Sequence, residues 1–262
     1  MIDFHSHILY GIDDGSKSIE ESIKMIERAE QIGFKQILAT PHYISNSKFN
    51  SGYFDNLKLL ERLKYRTMLN GIDANLLLGN EVFFETDLIE KLENNLAATL
   101  NETKYILLET PRTKVIFEHL LSFIFELQVK GFVIVLAHPE RYDFVIDDPA
   151  KLIILIERDV FVQLNLLSLI GIYGKEIKET SKVLLDHNMV HFIGSDAHNL
   201  KYYNNAEDAL RVLHDTVGDL YFSHITQSNP QMALDGELFY PDEPVPFTKK
   251  KLFGFLKKKA NN

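Results

Sequence analysis

The 262-residue sequence predicts a single α/β domain built as a parallel barrel, and three observations carry that prediction. Short apolar runs of strand type alternate with longer amphipathic stretches, which is the pattern of βα units around a parallel sheet. Seven such units can be counted, and no repeat of 20 to 50 residues is present. Histidines and acidic residues fall again and again just where the predicted strands end.

The first unit is a strand Ile2–Phe4 and a helix from Ser18 to Ile32, with Ser18 and Glu21 as a capping box and Gly33 as the stop. Strand Gln36–Ala39 and a helix over Tyr53–Leu69, ended by Gly71, make the second unit. The third pairs strand Asn75–Leu78 with a short helix over Asp87–Leu96. The fourth pairs strand Tyr105–Leu108 with helix Val115–Lys130. Strand Phe132–Ala137 with helix Pro149–Arg158 and strand Phe161–Leu164 with helix Lys175–His187 follow. Strand Val190–Ile193 and a closing helix Ala206–Val217 complete the series. The barrel therefore spans residues 1–240. Beyond it, Pro241, Pro244 and Pro246 precede Lys249–Lys251, LFGFL and Lys257–Lys259, so residues 241–262 read as a Pro/Lys-rich tail.

Composition narrows the functional classes. Apolar residues make up 45% and charged residues 25%, so a sizeable core is available. A net charge of -9 argues against a general nucleic-acid binder, which needs a positive face. Cysteine is absent, which excludes disulfides, thiolate metal sites and every cysteine-nucleophile mechanism. The opening MIDFHSHILYGIDDG has neither a basic n-region nor an apolar h-region, and the expectation is a cytoplasmic protein.

Placed on the predicted units, the polar residues converge. His5 and His7 follow the first strand, His42 the second and Glu81 the third. Glu109 ends the fourth, His138 the fifth, and Asp196 with His198 the seventh. In a parallel barrel those carboxyl ends share one face, where such enzymes carry their sites. His119, His187, His191, His214 and His224 fall elsewhere and are assigned structural roles, as is Asn165 at the end of the sixth strand. Histidine mixed with carboxylate, without thiolate, suits Zn, Mn, Fe or Ni better than Mg or Ca. Eight ligands exceed one site, and two or three divalent ions sharing a bridging carboxylate account for them economically. Paired cations activate water and stabilise both oxygens of an in-line displacement on phosphorus, so phosphate-ester hydrolysis is the expected chemistry.

The motifs HSH at 5–7, DDG at 13–15, TPH at 40–42, GNE at 79–81, AHPER at 137–141 and GSDAH at 194–198 together resemble the polymerase and histidinol phosphatase (PHP) superfamily. Within it, the DDG element, HPER and SDAHN resemble the bacterial manganese-dependent protein tyrosine phosphatases of capsule and exopolysaccharide loci. That resemblance implies a distorted (β/α)7 TIM-like barrel with a trinuclear centre. It also implies metal-activated hydrolysis of phosphotyrosine, on a protein such as the tail of a bacterial tyrosine kinase of polysaccharide export. By the resemblance His5, His7, Glu81 and Asp196 hold one ion, and Glu81 bridges to a second held by Glu109 and His138. His42 and His198, with Asp14, hold the third. Mn is the first expectation, with Fe and Zn as alternatives.

Arg141 has two readings, a grip on the phosphoryl oxygens or an ion pair with an acidic neighbour, and the first is preferred. Asp14 has three: a metal ligand, a general acid for the tyrosine leaving group, or a turn residue before Gly15. Relatives usually carry an arginine after SDAHN where this chain has LKYYNNAED, so Lys201 is the candidate replacement, lacking the planar fork. Tyr202 and Tyr203 are candidates for the substrate mouth. The competing functions are a small-molecule phosphatase, such as histidinol phosphatase, and a non-catalytic metal-binding scaffold. For the tail, the alternatives are a solvated or packing segment and peripheral contact with an anionic membrane surface. Self-association is left open.

Overall fold

The computed structural model describes residues 1–113 and 115–247. Its strands are β1 (Ile2–Ser6), β2 (Gln36–Ala39), β3 (His42–Tyr43), β4 (Asn75–Leu78), β5 (Glu81–Phe83), β6 (Tyr105–Glu109), β7 (Val133–Ala137), β8 (Phe161–Asn165) and β9 (Phe192–Gly194). They form two parallel sheets, β1-β2-β4 and β3-β5-β6-β7-β8-β9. β2 leads into β3 across Thr40–Pro41, and β4 into β5 across Gly79–Asn80, so the smaller sheet continues into the larger one. The backbone N–H of Gly79 donates to Ala39 O (2.9 Å) and that of Glu81 to Pro41 O (3.1 Å), which carries the pairing across both interruptions. At the far edge Ser6 bridges Ala197, and Asp196 N donates to His5 O at 2.8 Å, so the sheets curl toward each other at their carboxyl ends.

Alternate residues of each strand serve two apolar clusters, as the two-residue period of a strand requires. Ile106, Leu108, Ile134, Leu136, Val162 and Leu164 pack outward against the helices. Phe4, Leu38, Tyr105, Leu107, Val135, Phe161 and Phe192 fill the concave side, where the Phe4 and Phe192 rings stack at 4.2 Å. This second cluster is closed by Ala233, Leu234 and Phe239. Both faces are covered, which is why the strands read as nearly continuous apolar runs.

The connecting helices are α1 (Ile19–Gln31), α2 (Tyr53–Leu69), α3 (Leu88–Glu93), α4 (Phe117–Val129), α5 (Asp143–Asp147), α6 (Ala150–Ile156), α7 (Lys175–Asp186), α8 (Leu200–Ser223) and α9 (Asn229–Leu234). The predicted capping box forms in part: Ser18 Oγ accepts from Glu21 N, but Glu21 Oε2 accepts from Lys17 N instead of from Ser18 N. α5 and α9 lie outside the predicted elements, since each is too short to show a period. α8 starts earlier than expected because Asn199 caps it, accepting from Lys201 N. The predicted stop at Val217 coincides with a break at Gly218 (φ 72°), beyond which helix resumes. β9 begins after His191, whose ring Nδ1 rather than a carbonyl accepts from Val162 N at 2.9 Å.

The first residues of the expected tail lie on the body. Val245 N donates to His187 O (2.8 Å), His187 Nδ1 lies 2.6 Å from Val245 O, and Phe247 stacks on the His187 ring at 4.0 Å. Both lysine clusters and LFGFL lie outside the described residues, and with them the membrane-contact expectation. No helix among the described residues is long and apolar enough to cross a membrane.

Candidate metal centre

All eight predicted ligands meet on one rim. His5 is in β1, His42 opens β3, Glu81 opens β5 and Glu109 ends β6, while His7, His138, Asp196 and His198 sit just past strand ends. Register brings two of them directly side by side, because His42 and Glu81 are Cα partners. Close approach is needed as well: a Cβ on Gly194 would lie 2.5 Å from the His5 Cβ, and one on Gly15 would lie 2.3 Å from His7 O. His138 (φ 34°) and Asp196 (φ 50°) occupy the left-handed region, a strained backbone of the kind that clusters at functional sites.

The ligand atoms form overlapping groups. His5 Nε2 lies 3.1 Å from His7 Nε2, 3.3 Å from Glu81 Oε2 and 3.6 Å from Asp196 Oδ1. His7 Nε2 completes that set at 3.5 Å from Glu81 Oε2 and 3.3 Å from Asp196 Oδ1. On the other side Glu81 Oε1 is 2.8 Å from His138 Nε2, and Glu109 lies 3.9 Å from both His138 and His42. Asp14 Oδ1 is 3.5 Å from His42 Nε2 and 3.3 Å from His198 Nε2. Glu81 is shared: its Oε2 also lies 2.8 Å from His42 Nδ1.

Three histidines turn a chosen nitrogen inward. His5 Nδ1 is bonded to Gln163 Oε1 (2.9 Å), His7 Nδ1 to Asp13 Oδ2 (2.8 Å) and His198 Nδ1 to Asp196 O (2.9 Å). Donation through Nδ1 leaves each Nε2 lone pair facing the cluster, the tautomer a metal ligand requires. Buried Glu81 Oε2 and His42 Nδ1 have no hydrogen-bond partner, despite lying 2.8 Å apart. At that distance the two buried atoms hold opposite charge without a well-aligned hydrogen bond, an arrangement that a shared cation would relieve. The donor set fits divalent ions.

Electrostatics agree. Burial would raise the Glu81 carboxyl, but His5, His42 and His138 outweigh it and hold Glu81 well below the usual carboxylate range. Burial would likewise lower His138, yet its bond to Glu81 and the surrounding carboxylates push it up to about 10. Glu109 is raised by burial and by repulsion from Glu81. With protons alone as compensation, His7, His42 and His138 are raised by the carboxylates around them and hold positive charge that bound metal would supply, and binding exchanges one for the other.

Arg141 donates from Nη1 to Asp196 Oδ2 at 2.9 Å and lies over the Tyr173 ring at 4.6 Å, so the ion pair weighed from sequence is present. It also lines a mouth of about 430 Å³ over the cluster, together with Asp14, Tyr173 and Tyr202. Its buried Nε has no hydrogen-bond partner. Asp14 is half-exposed and held below the usual carboxylate range, first by its bond to His198. Asn165 is a hydrogen bonder, as expected: its Nδ2 donates to Asp196 Oδ2 at 2.7 Å. Lys201 is exposed and is not among the mouth-lining residues, although Asn199 and Tyr202 are. Tyr203 is buried and donates to Asp3 Oδ2 at 2.8 Å, away from the mouth. Asp13, Gln163, Arg112 and Tyr173 were not found from sequence. The only signals were the doubled Asp in DDG and the alternation of QLN.

A family model described as capsular polysaccharide synthesis, CpsB/CapC, matches residues 1–235. The chain belongs to the CpsB/CapC family. The tyrosine-protein phosphatase YwqE of Bacillus subtilis is 34% identical, covering 98% of this chain and all of that protein. The tyrosine-protein phosphatase CpsB of Streptococcus pneumoniae is 30% identical, over 76% of this chain and 84% of its own. A solved chain from the crystal structures of those two proteins, described there as unique metal-dependent tyrosine phosphatases, superposes with a TM-score of 0.87. It shares 32% identity and covers 95% of this chain and 100% of its own. The CpsB/CapC match thus includes every residue of the rim cluster.

Proposed function

We propose that this chain is a metal-dependent protein tyrosine phosphatase, acting in the cytoplasm on a phosphotyrosine tail such as that of a tyrosine kinase of polysaccharide export. The observation that carries the reading is Glu81, whose Oε2 faces His5, His7 and His42 while its Oε1 faces His138. A carboxylate so placed suits a bridge between ions. His5, His7, Glu81 and Asp196 would hold one, Glu81, Glu109 and His138 a second, and His42, His198 and Asp14 a third, although by distance His42 also groups with Glu81 and Glu109, and His7 with Asp14, His42 and His198; Mn is favoured, with Fe or Zn as alternatives. The two curled sheets, with each interrupted strand taken as one, are read as the distorted seven-stranded barrel of the PHP type.

Divalent ions in such a cluster supply positive charge for the phosphoryl group and lower the pKa of water. The protein's own part is positioning. Arg141 keeps Nη1 on Asp196 and lines the mouth, and the rest of its guanidinium would meet phosphoryl oxygens there. Tyr173 fixes the guanidinium plane, and with Tyr202 it offers ring surface to an aryl substrate. Asp14, held ionised, fits a ligand better than a proton donor. Turnover of a phosphotyrosine peptide, a phosphoserine peptide and histidinol phosphate by the metal-loaded protein tests the assignment. Preference for the phosphotyrosine peptide is expected, and preference for histidinol phosphate would replace the reading with a small-molecule phosphatase.

A further inference from the structure

We infer that Arg112 is a specificity-determining residue that reads an acidic side chain next to the phosphotyrosine of the substrate. The inference rests on the phosphatase reading above and names the class of peptide it prefers. Arg112 and Arg141 are the two permanently charged cations among the described residues lining the mouth. They stand at different depths. Arg141 is buried and engaged with Asp196 and Tyr173, whereas Arg112 is exposed at the rim. The deep cation suits the scissile phosphoryl group, and the rim cation suits whatever flanks it.

The Arg112 backbone is held in place by the segment that carries Arg141. Asp143 N donates to Arg112 O at 2.9 Å, and Thr110 N donates to the Tyr142 hydroxyl at 3.2 Å. That hydroxyl in turn donates to Ala137 O at 2.7 Å, next to His138. The backbone at Thr110 and Arg112 therefore keeps a fixed relation to the cluster, which leaves mainly the Arg112 side chain to be ordered on binding. Charge points the same way. The chain carries a net charge of -9, so an acidic side chain beyond the reach of the metal cluster gains from a cation at the rim. A guanidinium offers a carboxylate two parallel hydrogen bonds.

The test uses the full-length, metal-loaded protein with three substrates: a phosphotyrosine peptide flanked by Glu, the same peptide flanked by Gln, and p-nitrophenyl phosphate. Wild type is expected to show the lower KM for the Glu peptide. Arg112→Ala should raise that KM about three- to fivefold, the scale of an exposed ion pair, leaving kcat and the other two substrates unchanged. Arg112→Lys should recover part of the loss. Equal KM for both peptides in wild type overturns this inference and leaves the phosphatase reading intact. A parallel rise in KM for p-nitrophenyl phosphate also overturns it, since Arg112 would then hold the phosphoryl group itself. Wild type that hydrolyses neither peptide removes both.

Discussion

Asp13 grips His7 through a 2.8 Å hydrogen bond between its Oδ2 and the His7 Nδ1, and the same oxygen accepts from the backbone N–H of His42 at 3.2 Å. One buried carboxylate thus orients two neighbouring strand ends. Asp13→Ala should lower metal affinity by about 10- to 100-fold, the usual effect of losing the partner of a ligating histidine. Metal titration followed by calorimetry checks this, and unchanged affinity would show that His7 needs no such support.

Glu81→Ala should be more damaging than Glu109→Ala. Glu81 reaches His138 and His42 at 2.8 Å through different oxygens, whereas Glu109 approaches the same two histidines only at 3.9 Å. Metal content and turnover should both fall further in the Glu81 variant, by about tenfold or more. Equal losses in the two variants would remove the bridging assignment.

Arg141→Ala should raise KM and lower kcat, by about a hundredfold in kcat/KM, because contacts to the phosphoryl group tighten in the transition state. Metal content should be retained, since Asp196 Oδ2 keeps its 2.7 Å bond from Asn165. Wild-type kinetics in this variant would leave the Asp196 ion pair as its whole role.

The rim cluster was legible because each ligand follows an apolar run whose direction the βα pattern fixes. Its supports were not. The doublet Asp13-Asp14 does not say which carboxylate turns inward, and the answer depends on Gly15 packing against His7. Gln163 reads as an ordinary strand residue until its partner His5, on another strand, is known. Tyr173 and Arg112 come from loops whose placement is tertiary, and no local period reports it. Lys201 illustrates the opposite problem, since a charge inferred from motif position falls on the exposed first turn of α8. In the fold, β9 and α8 departed from their predicted bounds where side chains take backbone N–H groups: the His191 ring accepts from Val162 N, and Asn199 caps Lys201 N.

Buried His191 is expected to weaken the fold in acid. Burial lowers its pKa to about 3 from the ordinary 6.5, so the folded state resists a proton that the unfolded chain accepts. Its contribution is intact above pH about 6.5 and is lost as pH falls toward about 3, at about 1.4 kcal/mol per unit. Denaturant melts of wild type and His191→Asn across that window should show a shallower pH slope for the variant. Identical slopes would place the acid sensitivity elsewhere.

The most direct measurement of the central claim is phosphotyrosine-peptide turnover by protein stripped with a chelator, then titrated with Mn while bound metal is counted. Activity should vanish on stripping and return as two or three ions bind per chain, with a return lower by about tenfold or more in Glu81→Ala. Iodoacetamide should change nothing, because the sequence has no cysteine. Full turnover by metal-free protein would contradict the account.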